Sequence, residues 1–363
     1  METVEKKRKI LIITGSLVSG GTERFVAFLC NNLNPDKYEI VLVLCSSIDS
    51  NYTINDNVRI IDLGLKIIKD SIYKLPNVLR RERADIVFST LTAINVIVSM
   101  IRVISRKNAV YILRESTILT EIQKHFGSPK VLRWLIKTLY PRFDAIVAQS
   151  IAMKTDMVQN FKINPNKIIQ IYNPIMPHGL KFGAKPGVTE LITVGNIRKE
   201  KGHDRILKAL TLLKINFHYT IVGGGNEIEL EKIRKLVEKL HLEDKVTFEG
   251  AQKDPFSYLR RSTLFLQGSY FEGFPNCLLE AHSVGLPVIA FDCPGGTKEI
   301  IYPGKNGFLV PDDDLQLYAA AIEKAVSYPF EPAIIIEDVL KKFGQQEILS
   351  QYEALFDSFA NRV

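Results

Sequence analysis

The chain reads as an α/β protein built from two successive parallel-sheet domains, and three observations lead there. Short apolar runs alternate with longer amphipathic stretches along all 363 residues, the rhythm of βα units. Prolines and glycines cluster near the middle, at Asn173-Pro174-Ile175-Met176-Pro177-His178-Gly179 and then Gly183, Pro186 and Gly187. Such a stretch breaks both sheet and helix, so it is the expected linker. Each half also opens alike, with a strand running into a loop that ends in glycine: Gly15 to Gly21, and Gly195 to Gly202.

In the first half, strands are expected at Ile10–Thr14, Ile40–Leu44, Ile86–Ser89, Val110–Leu113 and Ala145–Ala148. In the second, they are expected at Leu191–Val194, Tyr219–Val222, Val246–Glu249, Leu264–Gln267 and Pro287–Phe291. The basic lead-in Lys6-Lys7-Arg8-Lys9 before Ile10–Ile13 imitates a signal peptide. Its apolar core is too short, however, and it runs into a glycine-rich turn, so a first buried strand is expected. The run from Lys130 to Tyr140 has helical spacing, basic flanks and the only tryptophan, Trp134. It suits either a helix on an anionic membrane surface or one packed on its own domain. A last amphipathic run covers Ile348–Phe359.

Composition narrows the class. Hydrophobic residues make up 46% and charged residues 24%, enough to fill real cores and too apolar for disorder. No apolar run reaches the roughly 18 residues that span a bilayer. Cys30, Cys45, Cys277 and Cys293 form no CxxC pair, and the six histidines show no ligand spacing, so no metal is expected and a reducing cytoplasm fits. The net charge of +7 points to an anionic partner: nucleic acid, phosphorylated small molecules or an anionic membrane face.

Ligands of open α/β sheets bind outside the carboxyl ends of the strands, so the chemistry is sought in those loops. The most informative is Ser269-Tyr270-Phe271-Glu272-Gly273-Phe274-Pro275-Asn276-Cys277-Leu278-Leu279-Glu280-Ala281. Pro275-Asn276 has the composition of a helix start, and the N–H groups there suit a phosphate. Glu280, in the second turn, has two acceptor oxygens for a vicinal diol such as a ribose; Glu272 would lie at the far side of the phosphates. A second loop, Val194-Gly195-Asn196-Ile197-Arg198-Lys199-Glu200-Lys201-Gly202, carries Arg198, Lys199 and Lys201, cations of the kind that meet phosphates. A third, Gly15-Ser16-Leu17-Val18-Ser19-Gly20-Gly21-Thr22-Glu23-Arg24, is neither a P-loop nor GxGxxG.

The Glu272-to-Glu280 segment resembles the Glu-x7-Glu signature of glycosyltransferase family 4. The stretches Val284–Ala290, Asp292–Ile301 and Gly304–Val310 follow in that family's order and spacing. The resemblance implies the GT-B fold, two facing Rossmann-like domains with parallel sheets and a C-terminal helix crossing back. Residues 1–175, with 343–363 crossing back, would bind acceptor, and 176–342 the nucleotide sugar.

It also implies a retaining, metal-independent hexosyl- or N-acetylhexosaminyltransferase. Glu272 would contact the donor sugar and Glu280 the ribose, with Lys201 on the diphosphate. Asn196 stands where the family's arginine usually is, and Arg198 would supply that cation. Gly20, Gly21, Arg114, Gly273, Phe274, Asn276, Cys277 and Leu278 complete the expected donor contacts, and Gly295 and Gly296 would let backbone amides approach the ligand. The Asp312-Asp313-Asp314 run lies beyond the motifs and is expected to be a solvated turn or helix start. The expected partners are a nucleoside-diphosphate sugar, a glycan or polyprenyl-linked acceptor and an anionic membrane face, without nucleic acid and with no cofactor. Such a protein would serve bacterial surface polysaccharide synthesis in the cytoplasm, at the inner face of the membrane. A GT-B sugar-nucleotide epimerase and a nucleotide-sugar-binding protein without turnover are the alternatives.

Overall fold

The computed structural model describes residues 7–18, 20–46, 50–104, 109–127, 130–180 and 187–360. Lys6, Ser19, Gly183 and Pro186 of the sequence reading lie outside them. The chain divides into two compact units, 1–174 with 346–363, and 175–345.

The first unit runs β1 (Arg8–Thr14), α1 (Gly21–Asn32), β2 (Tyr38–Leu44), β3 (Arg59–Asp62), α2 (Ser71–Glu82), β4 (Ile86–Thr90), α3 (Thr92–Ile104) and β5 (Val110–Arg114). It continues α4 (Leu119–Phe126), α5 (Lys130–Leu139), β6 (Ala145–Ala148), α6 (Ile151–Phe161) and β7 (Ile168–Gln170). Its sheet has the order β3-β2-β1-β4-β5-β6-β7 and is parallel throughout. Both faces are covered, which explains the unbroken apolar runs of the central strands. Leu11 and Ile13 point into one core, while Ile10 and Ile12 point into the other.

The second core is completed from the far end of the chain. There Tyr352 stacks 5.0 Å from Phe25, and Phe356 lies 5.8 Å from Phe88. The C-terminal helix therefore belongs physically to the first sheet, because its aromatic stripe fills the face that α1 leaves open.

The second unit runs β8 (Thr189–Val194), α7 (His203–Leu210), β9 (Phe217–Val222), α8 (Glu227–Lys239), β10 (Val246–Gly250), α9 (Phe256–Arg260), β11 (Leu264–Gln267), α10 (Asn276–Ser283) and β12 (Val288–Phe291). Then come α11 (Thr297–Ile300), β13 (Gly307–Val310), α12 (Leu315–Ser327) and α13 (Pro332–Phe343), before α14 (Gln345–Asp357) returns to the first unit. The sheet order is β10-β9-β8-β11-β12-β13, again all parallel. Strand order reverses between β8 and β11, so the loops that follow these two strands flank the switch-point crevice. Those loops are 195–202 and 268–275, the two richest in expected chemistry.

The α5 helix packs on its own unit. Ile136 and Leu139 are buried, Leu132 and Leu135 lie against the core, and Arg133 is bonded to Gln123 at 2.7 Å. Val131 and Trp134 remain exposed on the outer side. Among the described residues, no helix is long and apolar enough to cross a membrane.

Candidate active site

The residues around the β8/β11 switch point converge on one carboxylate. Lys201 closes a 3-10 turn, Lys199–Lys201, that follows β8, and its Nζ lies 2.7 Å from Glu272 Oε1. Ser269 Oγ donates to the same oxygen at 2.6 Å. Glu272 is 8% exposed, so its charge is balanced by these two donors rather than by bulk water. Burial works against the Lys201 ammonium, but the charge and hydrogen bond of Glu272, with Glu200 beyond, outweigh it and raise its pKa above the ordinary lysine range. Lys201 is thus a permanent cation at neutral pH.

The α10 helix starts beside this pair. Unlike α6, α8 and α12, whose first turns are capped by Ser150, Asn226 and Asp314, it begins at Pro275 with no capping side chain. The positive end of its dipole follows directly on the loop that carries Glu272. Cys277, in the first turn, has its thiol pushed up to about 12 by burial, partly offset by Lys201 and reinforced by Glu272 and Glu280. All four groups accordingly share one neighbourhood. Glu280 is itself 9% exposed, one turn further along.

Gly295 supports Glu272 from behind: the Glu272 N–H donates to Pro294 at 2.9 Å, and a Cβ on Gly295 would sit 1.9 Å from the Glu272 carbonyl. With φ at +139°, only glycine fits there. Glycine at 295 thus permits close contact between two loops of the protein itself.

Two family models match these halves. The model described as Glycosyltransferase Family 4 covers residues 19–178, and the one described as Glycosyl transferases group 1 covers 181–342. The chain belongs to the family 4 glycosyltransferases.

Its similarity to individual relatives agrees. It is 29% identical to the N-acetylgalactosamine-N,N'-diacetylbacillosaminyl-diphospho-undecaprenol 4-alpha-N-acetylgalactosaminyltransferase of Campylobacter jejuni, over 85% of this chain and 87% of that protein. It is 31% identical to the lipopolysaccharide 1,6-galactosyltransferase of Escherichia coli, over 51% of this chain and 53% of that protein. Among solved structures, sucrose-phosphate synthase from Thermosynechococcus elongatus superposes with a TM-score of 0.84 at 18% identity, covering 98% of this chain and 100% of the other. HepE of Anabaena, solved with UDP-glucose, gives 0.79 at 17% identity, covering 96% and 99%. The fold is GT-B.

Within the glycosyltransferase, the other expected site residues fall into different positions. Arg198 shares the Lys201 loop but is 62% exposed at its side chain and faces Glu200 at 3.9 Å. Asn276 opens α10, but Leu278 is fully buried and its N–H already donates to Pro275 at 3.1 Å. Gly273 and Phe274 are buried, and the Phe274 ring packs 5.7 Å from Phe343. The side chains of Leu278 and Phe274 therefore pack beneath the loop.

In the first unit, Gly20 and Gly21 are exposed at the start of α1, with Tyr52 donating to the Gly20 carbonyl at 3.2 Å. Arg114 is neither a surface ion pair nor open to a ligand. It is 1% exposed, bonded to Asn173 and stacked 3.7 Å over Phe25. Its neighbour Glu115 is equally buried and accepts from Thr92 at 2.7 Å and Tyr140 at 2.8 Å. Burial pushes that carboxyl up, against these hydrogen bonds.

Sequence reasoning gave no role to Ser269, although it sits three residues before Glu272 in the quoted segment. The Asp312–Asp314 run is an exposed turn leading into a helix, as expected, and within it the Asp312 carboxylate also pairs with the buried Arg205 at 2.7 Å. Asp314 caps α12, as a helix start requires.

Proposed function

We propose that the chain is a retaining, metal-independent glycosyltransferase of bacterial surface polysaccharide synthesis. It would move a hexose or N-acetylhexosamine from a UDP-sugar to a glycan or polyprenyl-linked acceptor. The observation that carries this reading is the Lys201–Glu272 pair beside the uncapped start of α10. A diphosphate at that helix end meets a permanent cation and the helix dipole together, so charge developing on the leaving group is stabilised in place.

Glu272 then faces the donor sugar, and Glu280 accepts from the ribose hydroxyls. Arg198, exposed on the same loop, turns from Glu200 to the phosphates. The bond from the anomeric carbon to the diphosphate oxygen breaks, and a bond to the acceptor oxygen forms on the same face. The acceptor's proton passes to the departing phosphate, so no separate base and no cofactor are needed, and catalysis is positioning and electrostatics.

The names of the relatives support the substrate classes: an undecaprenyl-diphosphate-linked acceptor in Campylobacter jejuni, lipopolysaccharide in Escherichia coli, and UDP-glucose bound to HepE. In this reading the first unit binds acceptor and the second binds donor. The reaction takes place on the cytoplasmic face of the membrane. Val131 and Trp134, exposed beside Lys130 and Lys137 on α5, provide the contact with anionic lipid.

The test is incubation with a panel of nucleotide sugars in excess EDTA, with and without acceptor. Released nucleoside diphosphate is scored, and the anomeric proton coupling of the first product is read by NMR. Acceptor-dependent release with retained configuration is expected. Interconversion of the nucleotide sugar without acceptor would identify an epimerase, and an inverted product would reject same-face transfer. Activity lost in EDTA and restored by magnesium or manganese would reject the metal-free clamp.

A further inference from the structure

Arg205 is buried in the second unit, at 1% exposed, and lies on α7 three residues after the Lys201 loop ends. Its guanidinium is taken up by protein groups on every side. Nε donates to the Gly268 carbonyl and Nη2 to the Ser269 carbonyl, while Nη1 meets Asp312 at 2.7 Å. The plane lies 4.4 Å from the Tyr270 ring and 4.1 Å from the Phe291 ring. The three-directional fork of an arginine is therefore consumed in holding the first two residues of the loop that carries Glu272.

A second contact joins the same two segments. A Cβ on Gly202 would lie 1.8 Å from the Gly268 carbonyl, so the Lys201 loop and the Glu272 loop touch backbone to backbone. Beside it, the Tyr270 N–H donates to Glu200 at 2.8 Å, and the Tyr270 hydroxyl donates to Asp204 at 3.0 Å.

We infer that Arg205 is a positioning residue for transfer: it fixes Ser269, and through the Ser269 hydroxyl the Glu272 carboxylate, at the distance from Lys201 that the reaction uses. This rests on the reading of Glu272 and Lys201 as donor-site groups. The path is continuous, from Arg205 to the Ser269 carbonyl, from Ser269 Oγ to Glu272 Oε1 at 2.6 Å, and from there to Lys201 Nζ at 2.7 Å. A lysine at 205 has one ammonium for the same place and cannot hold both carbonyls and Asp312 in that geometry. The carboxylate would then sit loosely, and displacements near 1 Å at a reacting centre cost on the order of a hundredfold.

The experiment is a double-mutant cycle on the full chain with Arg205→Lys, Glu272→Gln and the pair, measuring kcat, KM and the Kd for UDP. Arg205→Lys should lower kcat roughly ten- to a hundredfold with UDP affinity within about threefold, because Glu280 and α10 are not touched. In the Glu272→Gln background it should add little, since it acts through that carboxylate. Additive effects, or full activity of Arg205→Lys, overturn the inference. If Arg205→Lys is insoluble, Ser269→Ala enters the same cycle, because it breaks the path one step later without removing a buried charge. Full activity of Glu272→Gln would instead overturn the donor-site reading, and the inference with it.

Discussion

Acidification from pH 7 to pH 5 should destabilise the second unit through two buried histidines. His203, which starts α7 beside Lys201 and Gly202, is 2% exposed, and its pKa falls from 6.5 to about 4 through burial and then the charge of Lys201. His282, on α10, is fully buried and falls likewise to about 4, through burial, against a contact of its Nε2 with the Asn306 carbonyl at 3.1 Å. Both pKa values are lower in the folded chain than in the unfolded one. Between pH 4 and pH 6.5 the unfolded chain therefore binds more protons, and stability falls as pH falls. The contribution is complete above about pH 6.5 and is lost on the way down to 4.

Working the linkage from 6.5 and 4, each histidine costs about 2 kcal/mol between pH 7 and pH 5, and the two together about 4. For a unit of this size that is a fall of about 10 °C in unfolding midpoint. Calorimetry at pH 7, 6 and 5 reads it directly. A His282→Gln variant keeps a donor for Asn306 but cannot titrate, so its midpoint should fall about half as far as that of the wild type. An identical fall in both proteins would refute the assignment of the pH dependence to these side chains.

Three further outcomes are expected. Lys201→Met should lower kcat/KM by at least tenfold and also destabilise the chain by about 3 kcal/mol, because it strands the Glu272 carboxylate. Adding Glu272→Gln should recover stability in a denaturant titration but not activity, and recovery of both would mean that the pair is only structural. Glu280→Ala should weaken UDP binding by about 1.5–3 kcal/mol in a calorimetric titration, the worth of hydrogen bonds to a charged group; unchanged affinity would remove Glu280 from the ribose. Sedimentation with anionic vesicles should recover the wild type at low salt and lose it as salt rises. Changing Trp134 to Ser and Lys137 to Glu should abolish that recovery, and equal recovery of both proteins would leave α5 as a packed helix alone.

The ten strands expected from apolar runs are all present, within two residues at each end; nine of them are central strands, which are covered on both faces and so largely apolar, and the tenth, β10, is an edge strand. The three that were not foreseen are β3, β7 and β13, and each is an edge strand of three or four residues. Their residues are largely half-buried or exposed, and their apolar runs are only two or three residues long, too short to stand out. Glu272, Glu280 and Lys201 were singled out by the order of motifs along the chain, and the fold brings Lys201 and Glu272 together at 2.7 Å.

The standing of the arginines could not be read that way. In the sequence Arg114, Arg198 and Arg205 are alike, one after a strand, one in a loop and one in an amphipathic helix. Only the fold buries the first against Phe25, leaves the second in solvent and surrounds the third with carbonyls. The partners of Arg205 lie 63, 64 and 107 residues away in the chain. A guanidinium leaves water only where such distant acceptors are already assembled around it. The sequence alone therefore determined ten of the strands and the local motifs, and the tertiary structure decided which arginine packs on a ring, which stays in solvent and which holds the loop that carries Glu272.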